Sequence, residues 1–294
     1  MAKLSGIAVI GFGEAGRTFA SAGGWEQRAA VYDRLTDMPE TAAAKQAEYV
    51  ACHVSGCAAL SQAVEGAETV ISLVTADQAL GVAQATADVI ARGSLYLDFN
   101  SVAPSTKQTG AAAIDAAGGH YVDVAVMSPV QPAALRVPLL LSGTKAAQAA
   151  ERLSDLGFSN VRIVEGPIGR ASSIKMIRSV MVKGLEALTA ECVLAASKAG
   201  VLDEVLSSLD ASWSEASWAE RAHYNLDRMM IHGSRRAAEM AEVVRTLEDL
   251  GTGAAMSSGT VKRQAEVGAL GLKQPPESLE EKIASVLLRG ERNK

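Results

Sequence analysis

The first 33 residues contain a glycine loop between two short apolar runs. Ile7–Ile10 precedes the loop, and the second run, Ala29–Asp33, ends on an acid. The loop reads Gly11, Phe12, Gly13, Glu14, Ala15 and Gly16. In a strand–turn–helix of this spacing, the first glycine makes the tight turn, the second lets backbone approach a diphosphate, and the third lets the helix pack on the strand. The spacing therefore predicts a turn that binds a dinucleotide.

The residues around this turn also bear on which dinucleotide binds. The helix after the loop directs its positive dipole end toward the diphosphate. Asp33 can accept a hydrogen bond from a ribose 2′-hydroxyl, and its charge repels the extra phosphate of NADP, so we expect NAD. Arg34 has the opposite effect, because an arginine at this place can stack on adenine or pair a 2′-phosphate. NADP therefore stays open as the alternative.

Composition narrows the class of partner. The chain has 294 residues, of which 48% are hydrophobic, enough for one large or two ordinary domains. It carries 28 Lys plus Arg against 33 Asp plus Glu, a net charge of −5 with a pI near 5.5. This balance supplies no basic field for nucleic acid or an anionic membrane, so we expect a small soluble partner.

The cysteines and the apolar segments indicate a cytoplasmic protein. Cys52, Cys57 and Cys192 are odd in number and show no C-x-x-C spacing, which disfavours a disulfide framework or a thiolate metal site. The first apolar run is short and continues directly into the glycine loop, so we interpret it as a strand and not as a signal peptide. No stretch approaches the roughly 20 apolar residues that span a bilayer.

Up to about Glu165, short β-rich runs alternate with alanine-rich helical stretches, a pattern typical of an α/β fold with a mostly parallel sheet. We therefore predict a Rossmann-type domain over residues 1–165. The predicted strands are Ile7–Ile10, Ala29–Asp33, Tyr49–Val54, Thr69–Val74, Leu95–Phe99, Tyr121–Val126, Pro138–Leu141 and Val161–Val164.

After Gly166-Pro167-Ile168-Gly169 the pattern becomes helical. One long helix is predicted from Ser172 to about Ala199, so that residues 166–199 join the sheet domain to an all-α domain over 200–294. Within that domain we expect loops near Gly233, at Gly251–Gly253 and at Gln274–Pro276.

Four motifs in order resemble the β-hydroxyacid dehydrogenase superfamily, which includes the 3-hydroxyisobutyrate and 6-phosphogluconate dehydrogenases. The glycine loop is the first. The second, Asp98–Pro104, is similar to that family's D-x-S-T-x-x-P, which implies that Asn100 and Ser101 hold the substrate and that Asn100 also contacts the cofactor. Taken by itself, this segment also fits a plain N-cap of the helix near Pro104. The resemblance further implies that the cofactor's ribose passes Val74 and Thr75.

The third motif, Val122–Pro129, departs from the family's D-A-P-V-S-G-G. Ser128 and Pro129 replace its two glycines, and a proline has no N–H to donate. We therefore expect a rebuilt substrate loop that includes Met127, so that the resemblance by itself does not predict the family's usual 3-hydroxyacids as substrates.

The fourth motif is the glycine-rich entry to the long helix, followed by Lys175, which the resemblance makes the catalytic lysine. A hydride leaves a carbinol carbon only when the hydroxyl proton is also removed, and Lys175 would act as that general base and, in reverse, as the acid. Burial or a nearby cation must lower the lysine's pKa, and Arg178, one turn away, either does so or binds an anionic substrate. Ser179 stands where the family has an asparagine and can still bond a hydroxyl.

A cationic row lies later in the chain, at Arg228, His232, Arg235 and Arg236. Its spacing favours one helix face, which can bind a carboxylate or phosphate, so His232 and Arg236 are candidate substrate ligands. The same row also fits a solvated, salt-bridged face or a contact between subunits.

Together these motifs predict an NAD(P)-dependent oxidoreductase that reversibly transfers a hydride between a nicotinamide and a small, anionic, hydroxyacid-like alcohol. The family resemblance places it in the branch with a 6-phosphogluconate-dehydrogenase-like C-terminal domain of unknown substrate and implies a homodimer. Two alternatives remain: an imine reductase, which lacks the lysine at the helix entry, and a protein that binds NAD(P) without turnover.

Overall fold

A computed structural model describes residues 6–26, 28–212, 217–272 and 274–292. The chain divides into two compact units, residues 1–176 and 177–294. The first carries a mostly parallel sheet and the second is helical, which confirms the predicted fold class. The domain boundaries at 165 and 199 stay a prediction. Helix α7, Arg170–Ala199, is one helix of 30 residues, and the division into units falls inside it.

The described part of the first unit forms an eight-stranded sheet. Its strands are β1 (Ile7–Ile10), β2 (Ala29–Tyr32), β3 (Ser55–Gly56), β4 (Thr69–Ser72), β5 (Leu95–Asp98), β6 (His120–Val126), β7 (Leu139–Ser142) and β8 (Val161–Ile163). The order across the sheet is β3-β2-β1-β4-β5-β6-β7-β8, and every pairing is parallel except the antiparallel β6–β7 pair. The carboxyl ends of β1, β2, β4 and β5 consequently meet at one edge.

Helices connect these strands and cover both faces of the sheet. They are α1 (Glu14–Gly23), α2 (Pro39–Ala51), α3 (Leu60–Val64), α4 (Ala79–Ala87), α5 (Pro104–Ala116) and α6 (Ala146–Asp155). Because β1 is central, Ile7 and Val9 enter one core cluster with Phe19, while Ala8 and Ile10 enter a second. All four β1 side chains are buried, as expected for a parallel sheet covered on both faces.

One predicted strand is wrong. Tyr49–Val54 is largely the end of α2, and the edge strand β3 begins only at Ser55. The Tyr49 ring is buried on the helix, with its centroid 5.4 Å from that of Phe12. A Cβ on Gly56 would lie 2.3 Å from the Tyr49 ring, so the edge strand has no side chain where the ring sits. Tertiary packing here overrides the β preference of Tyr and Val.

Helices α8 (Leu202–Ser212), α9 (Trp218–Asp249), α10 (Ala255–Gly268) and α11 (Leu279–Arg292) follow α7 in the second unit. The core of the second unit includes Leu226, Met229 and Met230 of α9, which pack with Val193 of α7. Ser217 and Glu220 form a capping box at the start of α9. Among the described residues, no helix combines the length and apolar character needed to cross a membrane.

The loop predicted near Gly233 is also wrong, because Gly233 lies inside α9. A Cβ on Gly233 would come within 2.6 Å of the Gly268 Cα, and a Cβ on Gly268 within 2.3 Å of the Ser234 nitrogen. The two glycines thus allow α9 and α10 to cross backbone against backbone. The loops predicted at Gly251–Gly253 and Gln274–Pro276 do lie between helices.

Candidate active site

The glycine loop has the geometry that its spacing predicted. Gly11 has φ +91°, and a Cβ there would lie 2.5 Å from the Leu73 carbonyl oxygen. A Cβ on Gly16 would lie 2.7 Å from the Gly11 oxygen. Gly11 therefore makes the turn, and Gly16 lets α1 pack against it.

Gly13 is different, because no described atom lies within 4 Å of the position a Cβ would take. It is exposed, as is Glu14, and Ala15 is half-buried. No side chain of the described residues caps α1 at Gly13. Bare backbone at a helix N-terminus fits a diphosphate, since the helix dipole and its first N–H groups favour an anion there.

Asp33 is held at the end of β2 by backbone and by a buried lysine. Its Oδ2 accepts a hydrogen bond from the Phe12 nitrogen at 2.8 Å, and its Oδ1 accepts one from Leu35 at 3.0 Å. The Lys45 Nζ lies 3.9 Å from Oδ2, donates to the Phe12 carbonyl at 3.0 Å, and pairs with Glu48 at 2.6 Å. These contacts fix the carboxylate beside the glycine loop.

Two other predicted cofactor residues, Thr75 and Arg34, affect the pKa of Asp77. A hydrogen bond from Thr75 lowers the pKa of the Asp77 carboxyl, with further lowering from Gln78 and from the charge of Arg34. Arg34 and Thr75, which follow β2 and β4, thus both favour the charged form of the same acid.

Asn100 joins the ends of β4 and β5. Its Oδ1 accepts from the Val74 nitrogen at 2.7 Å, its Nδ2 donates to Ser72 Oγ at 2.9 Å, and its own nitrogen donates to Asp98 Oδ1 at 2.8 Å. The residue is buried. In this arrangement the amide supports the backbone around Val74 and the turn that carries Ser101, while its predicted contacts with cofactor and substrate stay predictions.

Lys175, the predicted catalytic residue, is in direct contact with Ser101, a predicted substrate ligand. The Lys175 Nζ donates a hydrogen bond to Ser101 Oγ, although the residues are 74 positions apart. Both side chains are half-buried.

Met127, the predicted residue of the substrate loop, directly follows β6. Its nitrogen donates to the Pro138 carbonyl at 2.9 Å, and its side chain packs near Ala171.

A buried charge network that the sequence analysis did not single out contacts the segments that carry Ser101 and Lys175. Lys107, fully buried on α5, has its Nζ 3.0 Å from Asp98 Oδ1 and 3.5 Å from Asp123 Oδ1. Asp123 Oδ2 accepts from the nitrogens of Gly169 and Ser172, at 3.1 and 3.0 Å, where α7 begins. The available sequence signal was an acid at or near the end of each of two adjacent strands, with a lysine in the first turn of the intervening helix.

The remaining predicted residues belong to the second unit. Arg178 is exposed, Ser179 is buried and His232 is half-buried. Arg236 is buried, and its guanidinium is paired with both carboxylate oxygens of Glu186. Its charge is therefore paired inside the helical unit, and its role in substrate binding stays a prediction.

Next to that pair, Lys183 lies 2.6 Å from Glu239. Burial lowers the pKa of the Lys183 ammonium, and the neighbouring Glu239 opposes that shift. Gln264 of α10 donates to Glu186 at 2.8 Å, so the cluster connects α7, α9 and α10. No group of three or more His, Cys, Asp or Glu among the described residues is arranged to hold a metal ion.

Comparison with known families agrees with this geometry. Residues 6–157 match the family described as the NAD binding domain of 6-phosphogluconate dehydrogenase, and residues 196–267 match a domain of unknown function, DUF1932. The first match covers more than half of the chain, which therefore belongs to that family. This confirms the predicted membership of the β-hydroxyacid dehydrogenase superfamily and a nicotinamide cofactor.

Two solved structures are similar over nearly the full length. A conserved hypothetical protein from Sinorhizobium meliloti 1021 is 35% identical, with a TM-score of 0.74, over 98% of this chain and 97% of that one. A conserved protein of unknown function, described as structurally similar to 3-hydroxyacid dehydrogenases, is 26% identical, with a TM-score of 0.68, over 95% and 98%.

More distant structures share the fold. The Mycobacterium tuberculosis 3-hydroxyisobutyrate dehydrogenase with L-serine is 15% identical, with a TM-score of 0.71, over 96% of this chain and 99% of that one. An imine reductase from Streptomyces aurantiacus is 20% identical, with a TM-score of 0.54, over 95% and 98%. The fold alone thus fits both an oxidoreductase of hydroxyacids and one of imines.

Proposed function

We propose that the protein is an NAD(P)-dependent dehydrogenase that reversibly oxidises a small hydroxyacid-like alcohol, with Lys175 as the general acid and base. The contact between the Lys175 ammonium and Ser101 Oγ is the observation that carries this proposal. It joins a proton carrier on α7 to a hydroxyl donor and acceptor at the end of β5. A bound nicotinamide would accept or supply the hydride.

The chain's own residues then have distinct tasks. Ser101 receives the substrate hydroxyl in a hydrogen bond and orients it toward the Lys175 Nζ. The neutral amine of Lys175 removes the hydroxyl proton as the carbinol is oxidised, and the ammonium returns it in reduction. Arg178, exposed three residues after the lysine, is a proposed partner for the substrate's carboxylate. The role of Ser179 remains the prediction made from its place on the helix.

The test compares Lys175→Met with Lys175→Arg in the oxidation of a panel of small hydroxyacids. L-Serine is included because the M. tuberculosis structure contains it. Loss of a positioned acid and base is expected to lower kcat/KM by about 10²–10⁴-fold for both variants, while the Kd for NADH stays within about twofold. Near-normal turnover by Lys175→Met would overturn the proposed role.

An imine reductase is the second candidate, because that class shares the fold. Cyclic imines with NADPH are therefore assayed beside hydroxyacids with NAD. Faster reduction of imines, unaffected by Lys175→Met, would favour this candidate. Coenzyme binding with no turnover in either panel would indicate the third alternative, a protein that binds NAD(P) without catalysing a reaction.

We further propose NAD as the preferred coenzyme, because the Asp33 carboxylate is fixed beside the glycine loop. Asp33→Ser is expected to weaken NADH binding by about tenfold while improving NADPH binding, since a hydrogen-bond acceptor and a repulsive charge are both removed. Fluorescence titration with each coenzyme measures the two Kd values, and Asp155→Asn, an exposed acid on α6, is the control. An unchanged ratio of the two Kd values would contradict the proposal.

We also propose that the protein works as a homodimer in a reducing cytoplasm. Its three cysteines, Cys52, Cys57 and Cys192, are all free thiols, which supports the second part. The exposed apolar side chains of α7 support the first.

A further inference from the structure

Lys107 is a charged residue with no access to solvent. It lies in the first turn of α5, is 0% exposed, and donates to the Asp98 carbonyl at 2.6 Å as well as approaching the carboxylates of Asp98 and Asp123. Burying three ionised groups costs desolvation energy that a well-packed apolar cluster would avoid. Such a cluster is a weak source of stability but sets positions narrowly, because each charge must keep its partners.

One side of the cluster holds the turn that carries Ser101. Asp98 Oδ1 accepts from the Asn100 nitrogen at 2.8 Å, and Asp98 Oδ2 accepts from the Tyr121 hydroxyl. Asn100 is bonded in turn to the end of β4. The backbone immediately before Ser101 is therefore fixed by Asp98, and Asp98 is fixed by Lys107.

The other side holds the first turn of α7. Asp123 accepts from the nitrogens of Gly169 and Ser172 and from Ser172 Oγ, the last at 2.5 Å. Ser142 Oγ donates to the same carboxylate at 3.1 Å and accepts from the Ala171 nitrogen at 3.0 Å. These bonds fix the first turn of α7, both in its position along the helix axis and in its rotation about that axis. Lys175 is positioned by the same turn, because it follows Ser172 by three residues, about 4.5 Å along the axis.

We propose that Lys107 is a positioning residue for catalysis: by bridging Asp98 and Asp123 it holds Ser101 and Lys175 in register. The proposal rests on the proposed role of Lys175. Lys107 acts through the two aspartates and not through a contact of its own with the substrate. A displacement of about 1 Å between catalytic groups costs on the order of 10²-fold in rate, so a small shift of either aspartate is sufficient.

The first measurement needs no substrate. Hydrogen–deuterium exchange is followed in peptides covering residues 169–176 for Lys107→Met, Lys107→Arg and Ser172→Ala. Lys145→Met, at the start of α6 and involved in none of these contacts, is the matched control. We expect roughly tenfold faster exchange at the start of α7 in Lys107→Met and Ser172→Ala, with Lys107→Arg intermediate and the control at the wild-type rate.

The second measurement separates positioning from general support of the fold. For the hydroxyacid that the wild type oxidises fastest, kcat and the Kd for NADH are measured in the same variants. We expect kcat to fall by about 10²-fold in Lys107→Met, with partial recovery in Lys107→Arg, and the Kd for NADH to stay within about twofold. A variant that merely loosens the first unit would weaken coenzyme binding as well.

The outcomes are distinguishable from failure of the proposed function. If Lys175→Met retains turnover, the proposed function fails, whereas the exchange measurement still tests the link from Lys107 to α7. If Lys107→Met does not fold, Ser172→Ala and Lys107→Arg carry both measurements. Wild-type exchange at residues 169–176 together with unchanged kcat in the folded variants would overturn the proposal.

Discussion

Arg235 and Arg236 are neighbours in sequence with opposite surroundings. The Arg236 guanidinium is buried against Glu186, which also accepts from Gln264, whereas the Arg235 side chain is 51% exposed and lies 3.9 Å from Glu239. A buried charge without its partner is costly, but an exposed ion pair contributes little. The two positions therefore form a natural pair for mutation.

We expect Arg236→Met to lower the free energy of unfolding by about 3–5 kcal/mol, because Glu186 is left buried without its counter-charge. The matched variant Arg235→Met is expected to lose less than about 1 kcal/mol. Urea denaturation measures both. Loss of substrate affinity in Arg236→Met without loss of stability would contradict this expectation and support the predicted substrate role of Arg236.

The turn at Gly11, the close packing at Gly16 and the place of Asp33 beside the glycine loop could be predicted from the sequence, whereas their contacts with a cofactor stay predictions. Asp33 contacts the Phe12 nitrogen only 21 positions away, and Gly16 packs against Gly11. Contacts as local as these follow from the spacing of residues along the chain. The support behind Lys175 could not be predicted in this way. Asp123 meets Ser172 across 49 positions, and only the folded sheet shows that the acid belongs to the first turn of α7.

At the scale of elements, strands with continuous apolar runs were predicted within two residues at each end, because parallel strands buried on both faces leave a plain signal. The strand predicted over Tyr49–Val54 is wrong, because the same residue types also suit the buried end of a helix. Gly233 failed for a related reason: a glycine usually indicates a loop, but here it permits two helices to touch.

The crossing of α9 and α10 is tested by two glycines in α10. Gly268→Ala is expected to destabilise the protein by about 1–3 kcal/mol, because its methyl group meets the Ser234 backbone. Gly259→Ala, whose Cβ would have no described atom within 4 Å, is expected to stabilise it by about 0.5–1 kcal/mol through its higher helix propensity. Thermal and urea unfolding check both values. Equal effects at the two positions would contradict the close crossing.

At the scale of the whole molecule, α7 presents an apolar stripe to solvent, formed by Ile177, Met181, Leu185 and Leu188. Met181 is 64% exposed and Leu188 is 56% exposed. The same helix places Ala190, Val193 and Leu194 in the core of the second unit. An exposed row of large apolar side chains on a folded protein is typical of an interaction surface.

If a second copy covers the α7 apolar stripe, Met181→Lys combined with Leu188→Lys is expected to convert the proposed dimer to a monomer. Two charges would otherwise be buried without partners at the interface. Val50→Lys, at a 72% exposed position on α2, is the control. Sedimentation equilibrium gives the mass of each. A double variant that remains dimeric would place the interface elsewhere.

The bare backbone at Gly13 has a practical consequence. A molecule that binds there, and only to the folded protein, stabilises the folded form by mass action, by about 2.7 kcal/mol at a concentration one hundred times its Kd. The melting temperature can therefore serve as a screen: heating the protein with small metabolites one at a time, first alone and then with coenzyme already bound, ranks candidate substrates before any reaction has been observed.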